Sequence, residues 1–263
     1  MNKREIRTVN VTRYVTPLRE GGSLPAIVEA DDDFPYVLKF RGAGQGKKAL
    51  IAELIGGELA RTMGLKVPEL VFMHLDDSFS KLEPDEEIQD LLKFSVGLNL
   101  GLHYLAGSIT YDPLVSHADP LTASRVVILD SMITNIDRTH RNTNLLTWYR
   151  ELWLIDHGAS LYFHHSWENF QNHLERTFPA IKDHVLLRKA TMLEEASAEI
   201  QKMVNQEEIE DIISLIPDDW LTEESDSFNP EEKRKLYIEF LLKRLENIDL
   251  LTKEAADARK ANI

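Results

Sequence analysis

Two stretches of the sequence decide its interpretation: Asn135-Ile136-Asp137-Arg138-Thr139-His140-Arg141-Asn142, and Leu152-Trp153-Leu154-Ile155-Asp156-His157-Gly158. The first stretch places Asp137 and Asn142 five residues apart in a polar segment. The second places Asp156 directly after four apolar residues, as at the end of a strand. Because a buried strand rarely ends in an Asp unless the carboxylate has a partner or a metal ion, we expect these side chains to meet at one site.

The order Asp-x4-Asn followed by strand-Asp-x-Gly is how kinase-type folds assemble a phosphoryl-transfer site. Such a site needs a carboxylate beside the attacking hydroxyl, and Asp137 is the candidate for this catalytic base. It also needs hard oxygen ligands for Mg²⁺, and Asn142 and Asp156 are the candidates for this role. The two stretches therefore predict transfer of a γ-phosphoryl group from a nucleotide.

A cation upstream should complete the site, and Lys39 is the candidate. It lies in the β-rich run Pro35-Tyr36-Val37-Leu38-Lys39-Phe40, where its apolar neighbours imply that the ammonium group needs an anionic partner. Nucleotide phosphates and a carboxylate on the following helix would both serve. We favour Glu53 as that carboxylate, and Glu58, five positions later and on a different face of the helix, is the alternative.

Two glycine-containing segments can bring backbone N–H groups close to phosphates: Gly21-Gly22-Ser23 and Gly42-Ala43-Gly44-Gln45-Gly46. Neither matches the P-loop pattern, because Gly-Lys-Ser/Thr is missing. We favour Gly21, Gly22 and Ser23 as the nucleotide-binding turn, because they lie between the first strands, where a lid over the nucleotide would belong.

The composition indicates a globular protein, since hydrophobic residues make up 43% of the 263 positions. The absence of cysteine excludes disulfides and thiolate metal sites. The net charge is −14, and residues 193–263 contribute 19 acidic and 9 basic side chains to it. Such a surface repels phosphates, so no direct nucleic-acid binding is expected. No signal peptide or membrane-spanning run of roughly 20 apolar residues is evident, which predicts a soluble cytoplasmic protein.

The local patterns change character along the chain. Strand signals dominate residues 8–40, a helix begins near Lys48 and ends at Gly64, and residues 67–73 form a short strand. Residues 121–134 form a buried helix, and residues 145–148 and 152–155 form a hairpin. After about residue 185 the pattern is helical, with a final long helix from near Pro230. This order predicts an α+β, two-lobed protein-kinase-like fold with a cleft between the lobes. The β-rich N-lobe would span residues 1–95 and the helical C-lobe residues 96–263.

The chain resembles the HipA-like kinases. The likeness is carried by five motifs within roughly residues 10–165: Tyr36-Val37-Leu38-Lys39-Phe40, Leu50-Ile51-Ala52-Glu53-Leu54, Gly64-Leu65-Lys66-Val67-Pro68, the stretch of residues 135–142, and Ile155-Asp156-His157-Gly158. The Asp-Arg-x-x-x-Asn pattern is also similar to that of phosphatidylinositol kinases, which share the wider protein-kinase-like fold. The motifs around Asp137 and Asp156 are the most specific.

This resemblance implies an ATP- and Mg²⁺-dependent kinase that phosphorylates Ser or Thr of a protein. Lys39 would bind the α- and β-phosphates, Glu53 would hold Lys39, and Asp137 would act as the base. Asn142 and Asp156 would ligate Mg²⁺. In HipA toxins a Ser of the phosphate-binding loop can be autophosphorylated, and Ser23 is the nearest candidate in this chain.

The sequence also departs from related patterns. Larger toxin members of the family carry an extra N-terminal subdomain, whereas this sequence has only 38 residues before Lys39, which argues against a toxin role. Compared with common protein kinases, His157 stands where Asp-Phe-Gly has Phe, and no Ala-Pro-Glu follows, so a regulated activation loop is not expected.

Two alternatives to a protein kinase stay open from the sequence. One is a kinase for a lipid or a small molecule, although the acidic C-terminal quarter argues against contact with an anionic membrane. The other is a nucleotide-binding pseudokinase that acts as an interaction module. The presence of all five polar residues expected for the chemistry argues against the pseudokinase.

Overall fold

The computed structural model describes residues 4–18, 24–222 and 228–262, and strands in these ranges form two sheets. The turn Gly21-Gly22-Ser23, which the sequence predicts to contact phosphates, lies outside them. The strands are β1 (Thr8–Pro17), β2 (Ala26–Ala30), β3 (Pro35–Lys39), β4 (Leu70–Leu75), β5 (Gly97–His103), β6 (Ile109–Thr110), β7 (Leu145–Trp148) and β8 (Glu151–Leu154).

The first five strands close into a barrel in the order β1-β2-β3-β5-β4. Its neighbours pair antiparallel, except that β1 and β4 pair parallel. Successive side chains of a strand point to opposite faces, so Tyr36 and Leu38 enter the barrel core while Val37 and Lys39 point outward. This alternation determines the face of the sheet on which the lysine lies.

The helices are α1 (Gly46–Thr62), α2 (Ser78–Leu82), α3 (Glu86–Phe94), α4 (Pro120–Ile133), α5 (Phe170–Leu174), α6 (Leu193–Met203), α7 (Gln206–Ser214), α8 (Asp218–Leu221), α9 (Pro230–Glu246) and α10 (Ile248–Ala261). Three short 3₁₀ helices span Tyr162–His165, Trp167–Asn169 and Pro179–Asp183. Asp119 caps α4 by accepting a hydrogen bond from the Thr122 N–H, and Pro120 occupies the first helical position. No helix in the described ranges is long and apolar enough to span a membrane.

A second, three-stranded sheet has the order β6-β7-β8. Strands β7 and β8 are the hairpin that the sequence predicts, joined by Tyr149 and Arg150. The Leu154 N–H donates to the Lys66 carbonyl at 2.8 Å, so the end of β8 is attached to the segment that follows α1. This attachment directs the exit of β8 toward α1.

The larger hydrophobic core joins α1, α4 and the C-terminal helices, and α4 is buried on nearly all sides. Near the C-terminus, Trp220 of α8 donates from its indole N–H to the Leu98 carbonyl at 3.0 Å and packs edge-on against Phe72. Asp219 is ion-paired with Arg41 at 2.6 Å and with Lys47 at 3.2 Å. These contacts fasten the C-terminal helices to the barrel and to the first turn of α1.

The structure differs from the sequence-based expectations in two places. Strand β5 was not expected, and it pairs with both β3 and β4 in the barrel. The expected single C-terminal helix is two helices, because the chain leaves helical geometry at Asn247 and resumes it at Ile248. The assignment of residues 1–95 and 96–263 to separate lobes stays a prediction.

Candidate active site

Lys39 is the centre of the first half of the site. Its Nζ atom lies 2.6 Å from Glu53 Oε2 and 2.5 Å from Asp156 Oδ1. Burial alone would lower the pKa of Lys39, but the charges of Asp156 and Glu53 outweigh it and raise this pKa above its ordinary value. Lys39 is therefore a stable cation that joins the sheet, helix α1 and the exit of β8.

Glu53 is fully buried and holds two partners. Besides Lys39, its carboxylate accepts a hydrogen bond from the His157 backbone N–H at 2.8 Å and lies 3.3 Å from His157 Nδ1. Burial alone would raise the pKa of Glu53, but Lys39 and His157 together lower it. Lys39 thus lies beside Glu53, the partner favoured from the sequence, and the alternative partner, Glu58, pairs with Arg61 instead.

The sequence did not reveal the role of His157, which contacts Glu53. It stands where common protein kinases have a Phe, and here it is buried against α1. A Cβ atom at Gly56 would lie 2.6 Å from the His157 Cβ atom, so the helix needs glycine at this position to let the histidine approach.

Asp156 lies two residues beyond the last residue of β8 and adopts a left-handed conformation with φ of 56°. Asp is one of the few non-glycine residues that adopt this conformation readily. The Asp156 carboxylate contacts Lys39 from this position after the end of β8.

Asp137 is the centre of the second half of the site. Its Oδ2 atom accepts hydrogen bonds from Asn142 Nδ2 at 2.7 Å and from Asn144 Nδ2 at 3.1 Å, while its backbone N–H donates to Asn135 Oδ1 at 3.1 Å. Both amides bind the same oxygen, and no hydrogen bond to the other carboxylate oxygen, Oδ1, is formed among the described residues. Asn144 was missed from the sequence, although its place two residues after Asn142 is a signal that could have drawn attention to it.

A buried polar network lies behind this loop. Arg138 donates from Nε to Asp130 Oδ2 at 2.6 Å, and the same oxygen lies 2.9 Å from His184 Nε2. Asn135 donates to the other oxygen of Asp130 at 3.1 Å. Burial alone would raise the pKa of Asp130, but the charge of Arg138 and the hydrogen bond from His184 lower it to about 2. The loop is therefore anchored on an ionised carboxylate of α4.

The two halves of the site are joined through the main chain. The Ile155 N–H donates to the Asn144 carbonyl at 3.1 Å, and Arg138 Nη1 donates to the Ile155 carbonyl at 3.2 Å and also to that of Asn144. Among the described residues, no side-chain hydrogen bond or ion pair directly links Lys39 or Asp156 with Asp137 or Asn142. The structure thus forms two clusters on adjacent segments rather than one continuous network.

The oxygen donors present fit a hard cation. In the described part of the chain, no group of three or more His, Asp or Glu side chains gathers into a self-sufficient metal site. Asn142 donates from its amide NH₂ to Asp137, so its amide oxygen is not used in that contact. The Asp156 carboxylate supplies oxygen donors on the segment that follows β8. Mg²⁺ suits such a site, because it is commonly held by one or two side chains together with phosphate oxygens and water.

The segment Gly42-Ala43-Gly44-Gln45-Gly46 forms the turn between β3 and α1. A Cβ atom at Gly42 would lie 2.7 Å from the backbone of Phe94, and Gly46 has a positive φ of 59°. Close packing and turn geometry therefore explain these two glycines without a nucleotide.

A family model described as HipA-like kinase matches residues 11–253. No curated protein sequence matches the chain.

Solved kinase structures resemble the fold at low sequence identity. The crystal structure of the Helicobacter pylori proinflammatory kinase CtkA superposes with a TM-score of 0.58 at 13% identity, covering 95% of this chain and 98% of that one. The Golgi casein kinase with Mn/ADP bound superposes with a TM-score of 0.51 at 9% identity, covering 97% of this chain and 74% of that one. These likenesses establish the mixed α/β kinase fold.

Proposed function

Because this chain belongs to the HipA-like kinase family, we propose that it transfers the γ-phosphoryl group of ATP, bound with Mg²⁺, to a hydroxyl group of a protein serine or threonine. The observation that carries the proposal is the placement of Lys39 between Glu53 and Asp156. A buried lysine with a carboxylate on the helix and a second carboxylate at a strand exit is the arrangement on which kinase-type phosphoryl transfer depends.

Lys39 would bind the α- and β-phosphates from the outer face of the sheet. Glu53 keeps the ammonium group ionised and in place, since its own position is fixed by His157. The contact between Lys39 and Asp156 would then be shared with the incoming phosphates, because the lysine has three N–H donors. This supplies binding and orientation rather than covalent chemistry.

Asp156 and Asn142 would hold Mg²⁺, and the fit rests on their oxygen donors. When bound, Mg²⁺ neutralises charge that develops on the phosphate oxygens during transfer. The chain's own contribution is to keep the Asn142 amide oxygen available by engaging its NH₂ group on Asp137.

Asp137 would act as the base through Oδ1. The acceptor oxygen forms the new bond to the γ-phosphorus, and the bond from that phosphorus to the oxygen bridging to the β-phosphate breaks. Its electron pair stays on that oxygen, which leaves with ADP, and the hydroxyl proton passes to Asp137. Two amides on Oδ2 hold the carboxylate in one orientation for this proton transfer.

The test is Mg²⁺-dependent transfer of labelled γ-phosphate from ATP to peptide libraries whose only side-chain hydroxyl is Ser, Thr or Tyr. Phosphatidylinositol vesicles serve as the lipid arm. Asp137→Ala is expected to reduce transfer by roughly 10²- to 10⁴-fold while ATP binding, measured by a Mg²⁺-dependent thermal shift, is kept. Asp183→Ala, which removes an exposed carboxylate outside the site, is the control and should transfer normally.

The outcomes of this test distinguish a protein kinase, a lipid kinase and a pseudokinase. Labelled Ser or Thr peptides support the proposal, whereas label in lipid alone identifies a lipid kinase. Binding of Mg²⁺–ATP without transfer to any acceptor would identify a pseudokinase. Equal transfer by Asp137→Ala and the unchanged chain would reject Asp137 as the base.

A further inference from the structure

We propose that Arg138, with Asp130 as its buried counter-ion, is a positioning residue that holds the catalytic base and the metal-binding carboxylate at a working separation. The proposal rests on the proposed kinase function and goes beyond it, because neither residue belongs to the set that contacts ATP, Mg²⁺ or the acceptor. It assigns a role to a buried ion pair that the transfer chemistry itself does not use.

The first argument is connectivity. Arg138 directly follows Asp137, and Ile155 directly precedes Asp156. The Arg138 guanidinium donates to the carbonyls of Ile155, at 3.2 Å, and Asn144. One rigid, planar group therefore bonds to the main chain next to both proposed functional carboxylates.

The second argument concerns Asn144. Its side chain donates to Asp137, while its carbonyl accepts from Arg138 and from the Ile155 N–H. It adopts a left-handed conformation with φ of 48°, which asparagine tolerates better than most residues. A displacement of Arg138 would therefore move Asp137 in two ways: through the peptide bond between these neighbours, and through the Asn144 side-chain amide that donates to Asp137.

The third argument is that the counter-ion is itself fixed. The Leu186 N–H donates to His184 Nδ1 at 3.0 Å, so the ring proton of neutral His184 must reside on Nε2, which faces Asp130. Asp130 thus has three donors, from Arg138, His184 and Asn135, and it lies on α4, which is buried. The guanidinium is therefore anchored to the core of the molecule.

A buried ion pair could instead contribute to stability alone. Comparison with Arg244, a second buried arginine, distinguishes a positioning role from a stabilising one. Arg244 of α9 is also buried, and it also donates to two backbone carbonyls, those of Ser131 and Arg176. Among the described residues, no hydrogen bond or ion pair joins Arg244 to the loop around Asp137 or to the exit of β8. Loss of Arg244 should therefore lower stability without lowering the turnover of the molecules that remain folded.

The experiment compares three variants of the full chain. In Asp130→Asn/Arg138→Met the ion pair is removed without leaving a lone buried charge, and the new amide oxygen can still accept from His184. Arg138→Lys keeps the charge but not the planar fork. Arg244→Met is the control. For each, kcat, KM for ATP, the melting temperature and the Mg²⁺–ATP thermal shift are measured, and kcat is expressed per folded molecule.

The double variant is expected to lose roughly 10²-fold in kcat, because small misplacements of reacting groups have effects of this size. Its KM for ATP should change much less than its kcat, since the contact between Lys39 and Glu53 is untouched. Arg138→Lys should fall between the double variant and the unchanged chain, and Arg244→Met should keep its kcat.

Two results would overturn the inference while leaving the kinase function intact. One is a double variant that keeps its kcat, and the other is a control that loses as much kcat per folded molecule. If the unchanged chain binds Mg²⁺–ATP but transfers no phosphate, the proposed function fails and the inference fails with it.

Discussion

Replacing Glu53 by glutamine tests the reasoning about the first half of the site. The substitution keeps the size of the side chain and removes one charge from a group that is fully buried and 2.6 Å from Lys39 Nζ. Breaking a buried ion pair by removing one partner costs about 3–5 kcal/mol. Here Lys39 keeps Asp156, and the new amide oxygen can still accept from the His157 N–H, so we expect a loss of about 2–3 kcal/mol.

Thermal unfolding at pH 7 measures this loss. For a chain of this size, 1 kcal/mol shifts the melting temperature by roughly 2–4 °C, so Glu53→Gln should melt about 4–12 °C lower. The matched control is Glu58→Gln, the same change on the same helix. Among the described residues Glu58 pairs with Arg61, whose side chain is 41% exposed, while that of Glu58 is 7% exposed. The new amide can still accept from Arg61, so this change should cost about 1 kcal/mol, less than the change at Glu53.

The pH dependence of the melting temperature tests independently whether the ionised Lys39–Glu53 pair stabilises the fold. The pKa of Glu53 is lowered by Lys39 and His157 in the folded chain, so its contribution is present above its ordinary pKa of 4.5 and is lost as the pH falls further. The pKa of Lys39 is raised, so its contribution is lost only above its ordinary pKa of 10.5. The difference in melting temperature between Glu53→Gln and the unchanged chain should therefore shrink below about pH 4.5. Equal melting temperatures and parallel pH profiles for the two Gln variants would refute the reasoning.

Two further predictions concern buried histidine and close packing. Burial lowers the pKa of His164, so its neutral form stabilises the fold above about pH 6.5 and this contribution is lost as the pH falls. His164→Gln should flatten the acid-side slope of the melting temperature. Gly56→Ala should lower stability by about 1–3 kcal/mol despite its better helix propensity, because the new Cβ meets His157 at 2.6 Å. Gly44→Ala, with open space around it, should be nearly neutral, and urea unfolding would decide between these outcomes.

Local patterns in the sequence were enough to place several elements. The β7–β8 hairpin was predicted from two apolar runs around a short turn, and helix α1 from its apolar spacing and terminal glycine. The pairing of Lys39 with Glu53 followed from a lysine flanked by apolar residues and a carboxylate one helix away. The family was identified from the motifs around Asp137 and Asp156, and the family model matches residues 11–253.

Other features depend on contacts between distant parts of the chain. Strand β5 alternates Leu with other residues at 98, 100 and 102, as a strand does, but its place between β3 and β4 is decided by pairing within a closed barrel. The link from His157 to Glu53 joins residues 104 positions apart, and that from His184 to Asp130 joins residues 54 apart. Such partners are selected by packing, which no local pattern encodes.

The sequence by itself therefore determined which residue types we propose for the chemistry and the order in which they occur. These are a lysine on a strand, a carboxylate on a helix, and an Asp-x4-Asn loop before a strand that is followed by Asp. Only the tertiary structure decided what holds them. Arg138, Asn144 and His157 take their positions from carbonyls and carboxylates that are remote in sequence. The physical reason is that buried polar groups must find hydrogen-bond partners wherever folding brings them, and those partners exist only once the chain has folded.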